Sequence, residues 1–534
     1  MAGTRAIALA TAGAVAGMMA LPTAPTFGAT LREALVRTYT GNPTLTGARA
    51  GQRAVDENVP IALSQGRPTV AGTGSYSEFV QRGIGGAFSP ARSANAGLNV
   101  SVPLYQGGGV RSSIRAADAR VDSGRAQLRS TEANIFVQAV GSYMDVIRDL
   151  AIVELNRGNV RVLETNVQAS SDRFEVGDLT RTDVAQSQAR LSIAQSQLQS
   201  AMAQLDSSRE NYLRIIGAVP DALEPPPPLP LFPANADAAA DVAIENNPDL
   251  IAARAAARAA NFDIRTAQAS RLPTLSGFAQ GNYTNFLGSR PGSVVVNPGG
   301  GTGDPTQPGT IVESAQQSQK TATIGLSANL PLYQGGLPAA RVRQAQARSS
   351  QAIEQIALVE RSVVADSRAT YSLYSAALGV IASSERAVSA SELALEGVRA
   401  ENSVGTRNVL DVLNAEQELL NVRVQLVTAR RDAYVAGFAL LAALGRAEAR
   451  DLGLDGGPLY DPTVNYRRVR NSLSDWRDDP APVPVAASTA GLPSPTTVVL
   501  PQTVYGPAVP AASRDIPGNM PRAGAVNPVT PPAK

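Results

Sequence analysis

The chain has 534 residues, a formal net charge of +2, and neither cysteine nor histidine. The lack of cysteine excludes disulfides, thiolate metal sites and cysteine nucleophiles, and the lack of histidine removes the commonest general base and metal ligand. Aromatic residues make up 4% of the chain, which favours helices packed closely through small side chains, and the small net charge does not indicate a nucleic-acid partner.

Residues 1–29 predict a secretory signal. A positive charge at Arg5 precedes an apolar run at positions 6–21, and Pro22 and small residues follow. We expect export, with cleavage between Ala24 and Ala29. The alternative is a short buried helix.

The rest of the chain repeats one long unit. VPLYQGG, which begins at Val102, recurs as LPLYQGG at Leu330, a shift of 228 residues. Asn42-Pro43 recurs as Asn247-Pro248, a shift of 205 residues. A period of this length is too long for a solenoid and predicts a duplicated half with internal pseudo-symmetry.

This repeat sets the expected domain organisation. We expect a first repeat at 30–220, a proline-rich linker at 221–240 and a second repeat at 241–450. The remaining residues, 451–534, are rich in proline and alanine and are expected to be largely disordered and dispensable. Each repeat opens with shorter helical segments, at 30–65 and 241–269.

Each repeat then predicts one β-hairpin. Apolar and polar residues alternate at 98–102 and 322–330, and the upstream partners lie at about 68–79 and 273–286. A period of two predicts strands with one apolar and one polar face. The second connection, about 287–320, is rich in glycine and proline and predicts a flexible surface loop.

The alternative for these hairpins is a small soluble sheet with one wet face. Strands of about ten residues are long enough to span an outer membrane, but four strands are too few to close a barrel. Open strand edges are not tolerated in lipid. If the strands span a membrane, the protein must therefore oligomerise.

The repeated motif predicts the transition from strand to helix. Proline removes a ladder donor and so ends the strand, while a glycine pair lets the backbone turn from sheet to helix. We expect this structural role, and no chemistry, for Pro103, Gly107, Gly108, Pro331, Gly335 and Gly336.

Each motif leads into a long helix and a returning helix. Positions 110–175 contain no proline, and Val176-Gly177 interrupts the helical pattern, as Val404-Gly405 does in the second repeat. In the returning helices large residues recur every seven positions, with small residues three positions further on. These seven-residue positions are Val184, Leu191, Leu198, Leu205 and Tyr212 in the first copy, and Val412, Leu419, Leu426, Ala433 and Leu440 in the second, where Ala433 is the one small residue.

This alternation predicts a coiled coil with closely spaced backbones. An ordinary amphipathic bundle helix is less favoured, because the register survives in both copies. Acidic residues on the long helix, such as Asp145, Asp149 and Glu154, predict a solvated face.

The sequence carries no catalytic pattern that we recognise. The GxSxG, P-loop, HExxH and Rossmann fingerprints are absent. The glycines at 107–109 open a helix but lack the lysine and the spacing of a phosphate-binding loop. We therefore expect neither enzymatic activity nor a cofactor or metal.

Helix, hairpin, long helix and coiled-coil return, present twice behind a signal, resemble the TolC family of bacterial outer-membrane efflux proteins over residues 30–450. The most specific segments are the two PLYQGG motifs, FEVGDLTRTDV at 174–184 and SVGTRNVLDVLNAEQ at 403–417. The resemblance implies a mostly α-helical fold with a small β part. In it, a duplicated coiled coil forms a tunnel, and four strands per chain contribute to a trimeric 12-strand outer-membrane β-barrel.

The resemblance also implies a function and partners. The chain would form a homotrimer in outer-membrane lipid with a long periplasmic extension, docked to a periplasmic adaptor and an inner-membrane pump or ABC exporter. It would conduct small molecules or unfolded proteins passively, in efflux or in type I secretion. The alternative is a periplasmic coiled-coil adaptor or scaffold without a channel, which would remain in a periplasmic extract.

The family further implies sites at the helical turns. Val176, Gly177, Val404 and Gly405 would form the tip that docks the adaptor. A closing network falls on Arg407, Asp183 and Thr182, with Asn402 in place of the family's tyrosine, which predicts a weaker or differently bonded gate. An acidic ring at the entrance falls on Asp411 and Asn414, of which only Asp411 carries a charge. Ordinary solvated turn charges are the alternative for Arg407 and Asp183.

Overall fold

A computed structural model describes residues 30–81, 90–220, 222–290, 293–296, 311–314, 316–454 and 459–492. The predicted signal at 1–29 and the tail beyond 492 lie outside these residues. Helices make up most of the described chain, and none of those helices combines the length and hydropathy needed to cross a membrane.

The described elements follow the predicted duplication. The first repeat comprises α1 (Leu31–Gly41), α2 (Pro43–Asp56), α3 (Asn58–Ser64), β1 (Thr69–Glu78), β2 (Arg92–Gln106), α4 (Gly109–Glu175) and α5 (Arg181–Ile216). The second comprises α6 (Ala236–Asn246), α7 (Pro248–Ala269), β3 (Thr274–Asn285), β4 (Ser293–Val296), β5 (Ile311–Ser314), β6 (Ser318–Asn329), α8 (Leu337–Ser403) and α9 (Val409–Ala443). A further helix, α10 (Pro462–Arg470), follows the repeats.

The two Asn-Pro pairs fasten the start of each repeat to its end. The Asn42 side-chain oxygen accepts hydrogen bonds from the first backbone N–H groups of α2, and Pro43 occupies the first helical turn, where no donor is needed. The Asn42 amide also donates to the Ile215 carbonyl at 2.9 Å. Asn247 repeats both contacts, capping α7 and donating to the Ala443 carbonyl at 3.1 Å. The same side chain thus caps one helix and holds the end of the returning helix.

The four long strands form one antiparallel sheet in the order β1-β2-β3-β6. Its register places Val70 beside Val100, Val100 beside Ala279, and Ala279 beside Ile324. Within the described chain, β1 and β6 are edge strands with no neighbour on their outer sides.

The predicted alternation gives the sheet two different faces. One carries mainly apolar side chains, and those of Val70, Leu98, Ile324 and Leu326 are exposed by 66%, 55%, 86% and 70%. The opposite face carries mainly polar residues that bond across strands, as Thr284 does with Asn95 at 2.7 Å. The alternation of apolar and polar residues therefore predicted the two faces of the sheet correctly.

The strand exits differ between the repeats. All four motif glycines adopt positive φ, with 59° and 77° at Gly107 and Gly108, and 61° and 81° at Gly335 and Gly336. These four glycines lie where each strand gives way to the following helix. β6 ends at Asn329, before Pro331, as expected.

The prediction that Pro103 ends its strand is wrong. β2 continues to Gln106, with an irregularity between Pro103 and Tyr105. Pairing with β1 stops at Ser101, so Pro103 has a neighbour on one side only. A proline is tolerated there because no ladder donor is required on the open side.

Two predicted irregular segments contain structure. α6 begins at Ala236, capped by Asn235, so the linker between the repeats is shorter than 221–240. The connection predicted as a flexible loop at 287–320 contains β4 and β5, which pair from Ser293 opposite Ser314 to Val296 opposite Ile311.

The returning helices pack as the seven-residue pattern predicts. In α5, Leu198, Leu205 and Tyr212 are buried together with the small residues Ser187 and Ala194. α9 buries Leu419, Val422, Ala429, Ala433 and Leu440. Each returning helix packs against the long helix of its own repeat, as expected for a coiled-coil seam.

The two long helices are equal in length but not in burial. α4 and α8 each span 67 residues. α4 lies against α1, α2, α3, α5, α7 and α9, and it buries Phe136 and Tyr143 completely. α8 leaves Leu358, Leu373 and Leu393 exposed by 61%, 63% and 71%. Of these two equivalent helices, α4 is therefore covered by its own chain over most of its length, whereas α8 keeps an uncovered apolar surface.

The expectation of a largely disordered tail from residue 451 is wrong for its first part. Asp461 caps α10 through the Thr463 backbone N–H, and Tyr466 packs with Val59 and Val121. The Tyr466 hydroxyl donates to Asp118 at 2.7 Å. This nine-residue helix is too short for its periodicity to stand out among the surrounding prolines. The helix docks on α2 and α3, and its Tyr466 and Arg470 side chains contact Asp118 of α4.

Asn42 caps α2 and also bonds to the Ile215 carbonyl at the end of α5, and we call this pair of contacts the Asn42 clasp. It leads to a prediction about stability. Asn42→Ala removes a helix cap, which costs about 1 kcal/mol, and leaves the buried Ile215 carbonyl without its donor, which costs about 1–3 kcal/mol more. Thermal unfolding of the purified protein, followed by circular dichroism, measures the loss. Asn42→Ser keeps a capping oxygen but not the reach to Ile215, so its loss should be intermediate.

Asn235→Ala is the matched control for this clasp. Asn235 caps α6 through one bond to the Ala238 backbone N–H and is exposed. It should cost only the cap. Equal losses for Asn42→Ala and Asn235→Ala would contradict a clasp between helix ends.

Candidate functional site at the helical turns

The turn between α4 and α5 is a closed glycine cap. Gly177, with φ of 84°, donates to the Phe174 carbonyl at 2.9 Å, and the Asp178 N–H donates to the Arg173 carbonyl at 2.9 Å. This is the pattern in which a left-handed residue satisfies the last carbonyls of a helix. The positive φ selects glycine because a side chain would be strained.

The second turn has the same geometry. Gly405, with φ of 78°, donates to the Asn402 carbonyl at 3.0 Å, and Thr406 donates to the Glu401 carbonyl at 3.0 Å. The preceding valines project into solvent, with Val176 exposed by 80% and Val404 by 72%. The two predicted tip turns therefore present matching apolar side chains beside a rigid backbone.

Asp183 is engaged at the start of α5. Its carboxylate accepts from the Thr180 backbone N–H at 2.9 Å and from the Thr180 hydroxyl at 2.7 Å, while its own N–H donates to that hydroxyl at 3.3 Å. This reciprocal arrangement is a capping box. The hydrogen bonds from the Thr180 hydroxyl and backbone lower the pKa of Asp183. Thr182, beside it, is exposed.

Arg407 is engaged within its own turn. Its Nε donates to Glu401 at 2.8 Å, and its guanidinium lies 3.9 Å from the Asp411 carboxylate. The hydrogen bond and the charge of Glu401 raise the pKa of Arg407. The Asn402 side chain donates to the Arg407 carbonyl at 2.8 Å. This set of contacts fixes the backbone and the head group of Arg407 together.

Within one chain, the structure does not bring the predicted gate residues together. Arg407 is paired with Glu401, and Asp183 is bonded to Thr180, so the implied contact between Arg407 and Asp183 is absent between these two described side chains. Sequence analysis missed Glu401. The sequence does contain a signal for this ion pair, since a carboxylate in the last turn of the helix is followed by an arginine just after the glycine turn.

The first turn carries a pair of opposite polarity. Arg173 lies 2.7 Å from Asp178 across the Val176-Gly177 turn. Glu401 occupies the position equivalent to Arg173, because the repeats are shifted by 228 residues. Each turn is thus clamped by its own ion pair, with the charges reversed between repeats.

Asn414 and Glu416 join the two repeats behind the turns. Asn414 accepts from Arg190 at 2.9 Å, which links α9 to α5. Glu416 is buried and accepts from Asn166 at 3.0 Å and from Arg399 at 2.9 Å. The position expected in an acidic ring is therefore an amide in contact with a cation.

A second polar network lies further along the helices and corrects the expectation of a solvated face. Asp149 is 2% exposed, accepts from the Ser208 hydroxyl at 2.5 Å and pairs with Arg148 at 2.7 Å. Asp145 lies between Arg148 at 3.0 Å and Arg431 at 2.9 Å, which links α4 to α9. These carboxylates are structural partners between helices, since buried charges must be paired. Glu154 alone of the three is well exposed.

Nothing in this arrangement resembles a catalytic or metal centre. Among the residues that the structure places, no group of three or more acidic side chains is arranged to hold a metal ion. The chemistry available at the turns is therefore charge and apolar surface.

Comparison with known proteins identifies relatives over most of the chain. A profile of the Outer membrane efflux protein family matches residues 34–218 and 239–446. Outer membrane efflux protein BepC of Brucella suis is 34% identical over 442 residues, which is 83% of this chain and 91% of that protein. Outer membrane protein TolC of Escherichia coli is 26% identical over 379 residues, covering 68% of this chain and 73% of that protein.

A solved structure agrees in fold. The outer membrane protein VceC of Vibrio cholerae superposes with a TM-score of 0.63 at 22% identity, over 78% of this chain and 96% of that one. At this identity the likeness concerns the fold alone.

The glycine turns generate a testable prediction. A Cβ added at Gly177 would have no atom within 4 Å outside the turn itself, so Gly177→Ala is opposed by the positive φ alone, at a cost of about 1–2 kcal/mol. Hydrogen exchange followed by mass spectrometry should show the turn peptide opening about 5- to 30-fold more often, since 1.4 kcal/mol is about tenfold.

Gly177→Asn is the matched control, because asparagine tolerates the left-handed region better than alanine. Its effect on exchange should be smaller. Equal exchange in all three proteins would show that the turn does not depend on the glycine.

Proposed function

Because this chain belongs to the outer membrane efflux protein family, we propose that three copies form a passive exit duct across the outer membrane, continued through the periplasm by the helices. An adaptor and an inner-membrane pump or ABC exporter would deliver cargo to it, in drug efflux or in type I secretion. The observation that carries this proposal is the four-stranded sheet, which has an exposed apolar face, a polar face and two open edges.

The sheet supports this function through its geometry. β1 spans ten residues, which at about 3.4 Å per residue suits an outer-membrane strand. β1 and β6 run in opposite directions in the sheet, so β6 of one copy can pair in antiparallel fashion with β1 of the next. Three copies would then leave no unpaired edge in lipid.

The helices support the same assembly. α8 exposes Leu358, Leu373 and Leu393 on a helix whose counterpart α4 is covered. Large apolar side chains left exposed along the length of one helix favour contact with another protein surface. A neighbouring copy in a trimer would cover it. A periplasmic scaffold or adaptor without a channel does not account for the sheet.

Disulfide crosslinking tests the assembly without interference, because the chain has no native cysteine. We expect Thr73→Cys on β1, combined in turn with Thr321→Cys, Thr323→Cys or Ser327→Cys on β6, to link chains into dimers and trimers for at least one pair. A disulfide requires Cα atoms about 4.4–6.8 Å apart. Non-reducing gels of outer-membrane fractions read the result.

Thr73→Cys combined with Asn99→Cys is the control, because β2 lies between the edges and should yield no link between chains. Protein recovered in the soluble periplasmic extract, or crosslinks of β1 to β1, would contradict the proposal.

We also propose that the turns with Val176, Gly177, Val404 and Gly405 dock the adaptor and that Arg407 narrows the entrance. Two exposed valines on rigid turns offer an apolar docking surface, and Arg407 is held in one orientation by Glu401 at 2.8 Å. In a trimer, three such guanidinium groups would surround the opening. Asp183 of a neighbouring copy is the partner that the family pattern implies.

Single-channel conductance distinguishes these roles. Arg407→Ala should raise conductance, because it removes three cations from the narrowest point, and Asp411→Ala should lower cation preference. Glu401→Gln should raise conductance too if the clamp within the turn orients Arg407. If Arg407 and Asp183 interact between copies, the change in conductance in the double variant Arg407→Ala with Asp183→Ala should be smaller than the sum of the two single changes.

Glu154→Gln is a control for general charge effects, because Glu154 lies on α4, away from the turns, and is exposed. Unchanged conductance in Arg407→Ala would rule out this constriction.

A further inference from the structure

A small exposed turn follows α10 and carries the chain's single tryptophan. Trp476 forms a turn with Asp475, and its surface is 95% exposed. Leu473, three residues earlier, is 78% exposed. α10 packs against the protein through Val469, but the two large apolar side chains that follow it are left uncovered. Their exposure indicates that another surface covers them.

Successive contacts set the direction of this segment. The chain after the second repeat meets the end of α1, then the end of α2, and then the residues just after α3. The bonds are Tyr460 N–H to the Tyr39 hydroxyl at 2.8 Å, the Asn465 amide to Asp56 at 2.9 Å, and the Arg67 guanidinium to the Ser472 carbonyl at 2.6 Å. The segment therefore runs alongside the first three helices toward β1, which begins at Thr69.

An ion pair then turns the chain back. Both oxygens of Asp479 accept from Arg468, at 2.6 and 2.8 Å. Residues 471–478 thus form a loop that leaves the end of α10 nearest the sheet and returns to it. Arg67 holds one side of the loop and the Arg468–Asp479 pair holds the other. Trp476 lies near its apex.

The sheet has further exposed aromatic residues at this same end. Tyr105 and Tyr333, in the two PLYQGG motifs, are exposed by 50% and 89%. Tryptophan and tyrosine concentrate where a membrane meets water, because one part of the ring system is apolar and the other can hydrogen-bond. The loop adds Arg477 beside Trp476, as in segments that lie in the interface. Asp475 and Asp478 keep its net charge small.

We propose that residues 471–478 form a peripheral anchor that inserts Trp476 and Leu473 into the head-group region of the phospholipid leaflet at the helical end of the sheet. This inference rests on the proposed function, since it requires the sheet to lie in the membrane. The occupant is phospholipid because the loop is directed at the end of the sheet where the strands enter the helices. The small net charge favours insertion of the ring over attraction to anionic lipid.

The single tryptophan makes the anchor directly measurable. The full-length protein is reconstituted into phosphatidylcholine vesicles whose lipids carry bromine high on the acyl chains. Tryptophan is then excited where tyrosine does not absorb. Bromine quenches only a ring that touches lipid, so we expect a strong loss of Trp476 emission and weak quenching by iodide from the water.

Two variants in a Trp476→Phe background calibrate this signal. Ile324→Trp places the ring on the apolar face of the sheet, where Ile324 is 86% exposed, and should be quenched by lipid. Val404→Trp places it at a helical turn, and should be quenched by iodide only. Both positions are exposed, so neither substitution disturbs a core.

The outcomes separate the anchor from the proposed function. Quenching of Ile324→Trp but not of native Trp476, with Trp476 open to iodide, would overturn the anchor and leave the barrel intact. Trp476 shielded from both quenchers would place it against another protein surface, such as a second copy, and would also overturn the anchor. Lack of lipid quenching at Ile324→Trp would overturn the proposed function, and the anchor with it.

Discussion

Backbone hydrogen bonding at the two sheet edges is the constraint on which the rest of this protein depends. Within the described part of one chain, β1 and β6 each leave one side of their ladder open. In water this is tolerable, but in hydrocarbon every unpaired N–H and C=O costs several kcal/mol. A chain of this family, placed in the outer membrane, can satisfy those groups only with further copies. The need for other chains thus follows from four strands, before any helix contact is considered.

Duplication of one unit provides all four strands of the sheet, but the two halves of the chain differ in which surfaces they bury. Each half contributes a hairpin, a long helix, a glycine turn and a returning helix, and the bounds of the two long helices match after a shift of 228 residues. Yet α4 packs against six helices of its own chain, whereas α8 keeps large leucines exposed. Two helices of equal length therefore carry different surfaces, one for the core of the protomer and one suited to a neighbour.

The charged side chains at the helical turns bond to groups within their own turn. Asp183 completes a capping box, and Arg407 is held by Glu401 and lies near Asp411. Such exposed interactions add little to the stability of the fold, because water and salt screen them. Their main effect is to fix where each charged group lies beside its turn. In a constriction formed by these charges, contacts within each copy would orient the side chains, and the opening itself would be formed between copies.

The sequence by itself determined whatever depends on local periodicity and backbone chemistry. Those features are the strand faces, the long helices, the positive-φ glycines such as Gly177 and the buried seven-residue seam. The tertiary structure decided what depends on neighbours distant in the chain. Pro103 is tolerated inside a strand because β1, which begins opposite Ser101, does not extend to it, and Asp149 is tolerated in a buried position because Ser208 and Arg148 bond to it. Arg407 points to Glu401 because the turn brings them together. A local pattern fixes which face a residue occupies, but only the fold decides what covers that face.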